Sequence, residues 1–253
     1  MELKDWFIWN GTKCTDYGMH VLSQPSIISP KERVSYETIP GKSGSITLLE
    51  GDGIYDDINL SAGCVIDDPY MLENGESVSR IAKICGWLKG GGTVKFASRP
   101  EGYYRARVAN QISFDKIVRG NPHRSFSVEF QAKPFLYLDG GDAVKTFTAA
   151  GTIKNEGNIY SEPLIKVYGT AEGNVMIGNS TMIVNSFTNL TYICLDCEAK
   201  IAYKGSNGSA SDPMTLLGTR VTGEWAKIPE GTSPVSFSGG ITKIEITPRW
   251  RVI

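Results

Sequence analysis

The 253-residue sequence has no long apolar run and no excess of either charge. Its apolar stretches are a handful of residues long, whereas a membrane-crossing helix needs about 20 apolar residues. The 26 Lys and Arg nearly balance the 27 Asp and Glu and are interspersed with them, whereas proteins that grip phosphate backbones usually carry a basic face. Residues 1–10 also lack the basic-then-apolar pattern of a secretory signal. We therefore expect neither a membrane partner nor sequence-specific nucleic-acid binding.

Cysteine is scarce and odd in number, with Cys14, Cys64, Cys85, Cys194 and Cys197. An odd count in a chain long enough to build a core favours reduced thiols and synthesis in a cytosol. Cys194 and Cys197 form a C-x-x-C, but they lie in a β-rich stretch rather than at the start of a helix, and no second C-x-x-C completes a zinc site. We interpret them as two small, half-buried strand residues.

Residues that could carry catalysis are few and scattered. The only histidines are His20 and His123, and neither adjoins a nucleophile motif. Acidic residues cluster only as short pairs, which are usually solvated turn residues: Asp56 with Asp57, Asp67 with Asp68, and Glu50 with Asp52. The glycines at 90–92 lack the following Lys-Ser/Thr of a phosphate loop. The sequence predicts no catalytic, cofactor-binding or metal-binding residues, no cofactor, and no enzyme.

What is abundant is glycine, with 28 residues placed between short runs rich in Val, Ile, Thr, Phe and Tyr. This pattern predicts a mainly β protein with many short strands. The clearest strand is residues 125–132, where apolar and polar residues alternate strictly. In a second, residues 242–247, Ile244 and Ile246 should face one side, with Lys243, Glu245 and the preceding Ile241 on the other.

One segment has helical periodicity instead. Between residues 76 and 89, Val78, Ile81, Ala82, Cys85 and Leu88 form one apolar stripe. Asn74 precedes it as a plausible N-cap, and glycines 90–92 end it. We predict a single substantial helix that buries this stripe against the first domain.

Two further features organise the chain. A turn-rich seam between residues 134 and 157 predicts two domains, residues 1–138 and 150–253. Residues 24–44 contain three prolines and form a long excursion, of a kind that is usually functional or mobile. Two interpretations stay open for this segment: an arm that packs on a neighbouring subunit, or a plain surface hairpin.

Several segments together resemble the distal tail protein family of long-tailed, siphovirus-type bacteriophages, also called phage tail component proteins. In that family an aromatic first strand is followed by a D-Y-G turn, a P-G-[RK]-[DS]-G segment and an N-x-G…S-x-P entry to the second domain. The matching segments follow the family order along nearly the whole chain: WFIWNG at 6–11, DYGMHV at 16–21, IPGKSGS at 39–45, WL at 87–88, YYRA at 103–106, FSVEFQAKPF at 126–135, NEGNIYSEP at 155–163, LDCE at 195–198, LGT at 217–219 and ITPRWR at 246–251.

The resemblance implies an N-terminal split β-barrel with one helix, like that of tail-tube subunits, and a C-terminal β-sandwich of galectin-like or carbohydrate-module type. It implies a structural protein at the tail tip of a phage or prophage, forming a homo-hexameric ring, possibly with rings back to back. Its expected partners are the tail tube protein, the tip or baseplate hub, and a tail-associated lysin, fibre or receptor-binding protein.

A second hypothesis treats the chain as a glycan-binding adaptor that recognises host cell-wall polysaccharide through its C-terminal sandwich. The sequence contains five tryptophans and eleven tyrosines, and such rings can stack on sugar faces. Because most aromatic residues of a β protein belong to its core, and because sandwich folds serve many functions, the sequence alone leaves this alternative open.

Overall fold

The chain is built mainly from β-strands, which confirms the fold class expected from the alternating apolar residues. A computed structural model describes residues 5–49, 51, 53–67, 76–116, 123–205 and 212–253. The chain divides into two compact units, Met1–Leu136 together with Ile253, and Tyr137–Val252. We call them unit 1 and unit 2. The strand β10, Leu136–Leu138, spans the boundary.

Unit 1 is dominated by one antiparallel sheet that curls into a half-barrel. Seven strands form its continuous path in the order β2-β1-β7-β8-β9-β6-β3, while β4 and β5 form a separate two-stranded sheet. The strands of this unit are β1 Phe7–Trp9, β2 Thr12–Lys13, β3 Met19–Ser23, β4 Val34–Thr38, β5 Ser45–Leu49, β6 Ile58–Asp67, β7 Gly91–Phe96, β8 Gly102–Val108 and β9 His123–Ala132. A short 3-10 helix, η1, covers Cys14–Tyr17.

Strand β9 lies inside this sheet, between β8 and β6. It pairs with β6 along ten consecutive residues and with β8 on its other side. Phe126, Val128, Phe130 and Ala132 are buried, as their alternation predicts. Phe130 packs edge-on against Phe7 and Phe96, with ring centroids 5.6 and 5.7 Å apart, so an aromatic cluster fills the inside of the curl.

The predicted helix exists as α1, Glu76–Trp87, and Gly90 follows it in the left-handed conformation at φ +75°. The predicted buried stripe is wrong at Ala82 and Cys85, which are exposed, and it omitted Ile84, which is buried. Leu88 is buried as predicted. The prediction gave equal weight to small and large apolar residues, whereas packing buries the larger side chain of Ile84. Asn74, the suggested N-cap, and the side chain of Val78 lie outside the described part of the chain. Among the described residues, no helix has both the length and the apolar character needed to cross a bilayer.

Unit 2 contains two further antiparallel sheets. One has the order β11-β21-β13-β16-β17-β18, and the other has the order β12-β20-β14-β15-β19. Their strands, with the short terminal strand β22, are β11 Lys145–Phe147, β12 Gly151–Asn155, β13 Leu164–Gly169, β14 Gly173–Ile177, β15 Ser180–Val184, β16 Tyr192–Asp196, β17 Ile201–Lys204, β18 Thr215–Leu216, β19 Val221–Gly223, β20 Gly231–Phe237, β21 Ile241–Thr247 and β22 Arg251–Val252. Two 3-10 helices, η2 Asp139–Asp142 and η3 Gly218–Arg220, lie in the connections.

The two sheets of unit 2 share one hydrophobic core and therefore form a β-sandwich. Ile165 and Ile244 come from the six-stranded sheet, Val175 and Val235 from the five-stranded sheet, and all four are buried. Ile241 differs from the prediction, since it is only 6% exposed rather than lying on the side of Lys243 and Glu245. A register shift between Tyr168 and Gly169 on β13 breaks the alternation opposite Ile241.

Candidate assembly surface

The most exposed apolar element of unit 1 is the hairpin formed by β4 and β5. The two strands pair from Val34–Leu49 to Thr38–Ser45. The connecting turn carries Gly41 and Gly44 at φ +81° and +83°, a conformation that favours glycine. We call residues 34–49 the hairpin.

Backbone hydrogen bonds fix the base of the hairpin. The Arg33 N–H donates to the carbonyl of Ile54 at 2.9 Å, and the Asp56 N–H donates to the carbonyl of Lys31 at 2.9 Å. The Arg33 guanidinium also donates to the Asp56 carboxylate at 2.9 Å. The hairpin is therefore a regular ribbon with a defined root.

Both faces of the hairpin carry apolar side chains towards solvent. Paired residues of an antiparallel ribbon share a face, so Tyr36 and Leu49 lie on the same face and Leu48 on the other. Tyr36 is 64% exposed and Leu49 is 61% exposed. The chain leading into the hairpin adds Leu22, Ile27 and Ile28, all exposed. An isolated two-stranded hairpin is marginally stable in water, and clustered apolar exposure of this kind is typical of a surface that another chain covers.

The two histidines lie on the surface of unit 1. His20 Nδ1 lies 2.7 Å from Asp5 Oδ2, and this hydrogen bond is the main reason that the pKa of the Asp5 carboxyl lies below its usual value. His123 is exposed at the start of β9.

The acidic pairs also have structural roles where the structure describes them. Asp56 is bound by Arg33, and Asp57 accepts a hydrogen bond from Lys133 Nζ at 3.3 Å. Glu50, Asp52, Asp68 and the side chain of Asp67 lie outside the described residues. In the described ranges, no three His, Cys, Asp or Glu side chains are grouped to hold a metal ion.

Cys194 and Cys197 are strand and turn residues with protonated thiols. Both are buried, more deeply than the half-buried positions that the sequence suggested. Burial raises the pKa of the Cys194 thiol, and it raises that of Cys197 to about 12. A thiol with a raised pKa is a poor nucleophile and a poor metal ligand, so the pair functions as packing.

The sequence patterns did not predict a cleft of 310 Å³ in unit 2, which is formed by separate chain segments. No local sequence pattern predicts this cleft, because its lining residues lie up to 65 positions apart in the chain. Its lining residues are Glu162, Cys197, Lys200, Gly223, Glu224, Trp225 and Lys227. A second cleft, of 480 Å³, lies in unit 1 between η1 and α1, beside Tyr17 and Arg80.

Comparison with known proteins gives a fold relationship without close sequence similarity. No family model matches the chain, and no curated protein matches it significantly. Among solved structures, it is similar to the SPP1 Dit protein, described as a paradigm of the hub adsorption apparatus of phages infecting Gram-positive bacteria, at a TM-score of 0.65 and 15% identity; the match covers 95% of this chain and 97% of that one. It is also similar to a chain of the activated phage P2 baseplate, at a TM-score of 0.51 and 12% identity, covering 96% of this chain and 98% of that one.

These matches run through both units, since each spans almost the whole length of both chains compared. At 15% and 12% identity these matches show the fold alone. The chain therefore has the two-unit β fold of a phage distal tail protein of the Dit type.

Proposed function

We propose that this chain is a structural, non-enzymatic hub protein of a long, non-contractile phage or prophage tail. The observation that carries the proposal is the match to SPP1 Dit over 95% of the chain. Neither a bacterial enzyme nor a single-domain sugar-binding protein would be expected to share both units in the same order. The segments that resemble the distal tail family along the sequence support the same conclusion.

The proposed assembly is a homo-hexameric ring that connects the tail tube to the tip. A closed ring needs two different complementary surfaces on each subunit, because its contacts run head to tail. The hairpin supplies one of them: its apolar faces lack cover within the part of the chain that the structure describes, and burial against a neighbouring subunit would remove Tyr36 and Leu49 from water.

Other components of the tail would bind the faces of this ring. We propose the tail tube protein on one side and a tail-associated lysin, fibre or receptor-binding protein on the other, with back-to-back pairing of rings as a further arrangement. The curled sheet of unit 1 supports its assignment as tail-tube-like, and the six- and five-stranded sandwich of unit 2 supports the galectin-like assignment. Synthesis in the host cytoplasm fits the five unpaired thiols.

The test compares the purified full-length protein with the double variant Tyr36→Ser/Leu49→Ser. The unmodified protein should form rings with a central hole in negative-stain microscopy and a hexamer mass in light scattering. The double variant should dissociate to monomers at the same concentration, because it removes the apolar contact without shortening the chain.

A matched control is Met176→Ser/Ile183→Ser, which removes two exposed apolar side chains from the outer face of the five-stranded sheet. We expect this control to keep its rings. A wild-type protein that stays monomeric at all concentrations would contradict the ring itself, whereas intact rings in the hairpin variant would contradict only the role of the hairpin.

A further inference from the structure

Three chain segments line the cleft of unit 2, and two of them lie side by side. Ser161 and Ile228 exchange backbone hydrogen bonds of 2.9 Å, which places residues 160–162 beside residues 225–228. Ala226 and Ile228 are fully buried, whereas Lys227 between them is exposed and Trp225 is partly buried. Trp225 packs partly against the core of unit 2 and also lines the cleft.

One wall of the cleft holds a fixed carboxylate. Arg251 is only 3% exposed, and its guanidinium donates to Glu162 Oε2 at 3.1 Å and to the Tyr160 carbonyl at 2.7 Å. Because a buried arginine positions it, the Glu162 carboxylate is an acceptor whose orientation is set before any ligand arrives. Such pre-organisation lowers the entropy lost on binding.

Two lysines and a second carboxylate complete the rim. The Lys227 ammonium lies 4.3 Å from the centre of the Tyr160 ring, a cation–π contact that holds it near the cleft. Lys200 occupies a left-handed turn position at φ +55°, unusual for a residue with a side chain, and lines the same cleft. Glu224 follows Gly223 and is held to β15, because its N–H donates to the Thr181 carbonyl at 2.9 Å.

We propose that this cleft binds a neutral saccharide. The partly buried Trp225 contributes apolar surface to the cleft, and aromatic side chains pack well against the C–H groups of a sugar ring. Two carboxylates accept hydrogen bonds from hydroxyls, and two ammonium groups donate to them. The cleft carries charged groups of both signs, and the hydroxyls of a neutral sugar can both donate to and accept from them. An apolar peptide would instead desolvate Glu224 and Lys200 without offering either a hydrogen-bond partner. A volume of 310 Å³ lies at the small end of ligand pockets, which span about 300–1,000 Å³.

The experiment screens the intact protein by saturation-transfer NMR against six sugars, followed by calorimetric titration of any sugar that responds. The probes are glucose, galactose, mannose, rhamnose, N-acetylglucosamine and N-acetylgalactosamine. We expect at least one of them to bind, and Trp225→Ala to weaken that binding about tenfold or more, as removal of a central aromatic contact usually does. Trp225→Tyr should retain part of the affinity.

Two further variants separate binding from folding. Trp6→Ala removes a half-buried indole from unit 1 and should leave sugar affinity unchanged. Glu224→Gln alters an exposed cleft side chain, so it should weaken sugar binding while the melting temperature stays the same. The absence of a response from every sugar would overturn the proposal, and so would a Trp225→Ala variant that binds as tightly as the unmodified protein.

Sugar binding by this cleft does not require ring formation, so different variants test the two properties. The Trp225→Ala variant should still form rings, and the Tyr36→Ser/Leu49→Ser variant should still bind the sugar. A hairpin variant that loses both properties would mean that the sugar site needs the assembled ring, which contradicts a cleft complete within one unit.

Discussion

Trp9 and Trp87 exchange hydrogen bonds with each other's backbone. The Trp9 indole Nε1 donates to the carbonyl of Trp87 at 3.2 Å, and the Trp87 indole Nε1 donates to the carbonyl of Trp9 at 3.3 Å. The Trp87 ring also stacks between Phe7 and Tyr17, at centroid distances of 5.7 and 4.6 Å. These two hydrogen bonds connect the C-terminal end of α1 to β1, a strand of the curled sheet.

Replacing Trp87 with Phe should lower the free energy of unfolding of unit 1 by about 1–3 kcal/mol, because a largely buried carbonyl loses its donor while the ring stack is kept. Urea denaturation measures the effect. Trp6→Phe is the matched control. It should lower the free energy of unfolding by less, since Trp6 is half-buried and contacts Lys13 across its ring face. Equal losses for both variants would show that the reciprocal bonds contribute nothing specific.

Unit 2 should become less stable in acid through Asp196. Burial alone would raise the pKa of this carboxyl, but bonds of 2.8 and 3.0 Å from Arg249 outweigh burial and leave the pKa below its usual value. A carboxyl with a lower pKa in the folded state stabilises the fold above its unfolded pKa, near 3.8. That contribution is lost as the pH falls through the folded value.

Asp196→Asn tests this linkage, since it removes the charge while keeping the shape of the side chain. The variant should be less stable than the unmodified protein at pH 7, and the difference should shrink as the pH falls below about 4. Urea titrations at several pH values measure it. A difference that stays constant with pH would contradict a role for the ionised carboxylate.

Gly141→Ala should destabilise unit 2 by about 1–3 kcal/mol through overpacking. A Cβ atom at this position would lie 2.3 Å from the backbone nitrogen of Trp250, which cannot move aside as a flexible side chain would. Gly218→Ala is the matched control, because its Cβ would meet nothing within 4 Å. Thermal unfolding should separate the two variants, and equal melting temperatures would contradict the close approach.

Thiol labelling should find one cysteine that reacts quickly with the reagent. Cys85 is exposed on α1, whereas the other four thiols are buried, and burial raises the pKa of Cys64 to about 12. Ellman's reagent at mild alkaline pH should therefore label Cys85 quickly and the remainder only on unfolding. The variant Cys85→Ser should lose the fast phase; fast labelling that persists in it would show that a buried thiol becomes accessible in the folded protein.

Much of the fold could be predicted because strand and helix patterns are local. The alternation in β9 assigned Phe126, Val128 and Phe130 to the core, and the glycines after residue 89 located the end of α1 to within two residues. The helix face could not be predicted in the same way. Ile84 and Cys85 are adjacent and both apolar, and only the packing of the folded unit decides which one is buried.

The candidate sites could be predicted from the sequence less well than the fold. The excursion at residues 24–44 was visible from its prolines, but its pairing with β5 and the exposure of Tyr36 and Leu49 required the three-dimensional fold. The cleft at Trp225 left no local signal, because Glu162, Lys200 and Trp225 meet only when three connections of the sandwich converge.

The sequence by itself determined that this protein is a mainly β chain with one helix among its described residues and scattered ionisable groups, since these properties follow from composition and from periodicities of two and 3.6 residues. Tertiary structure alone decided which apolar residues remain outside, where the register of β21 shifts and which side chains line a common cleft. Each of these depends on contacts between residues far apart in the chain, and the energies of such contacts are not encoded in any short stretch.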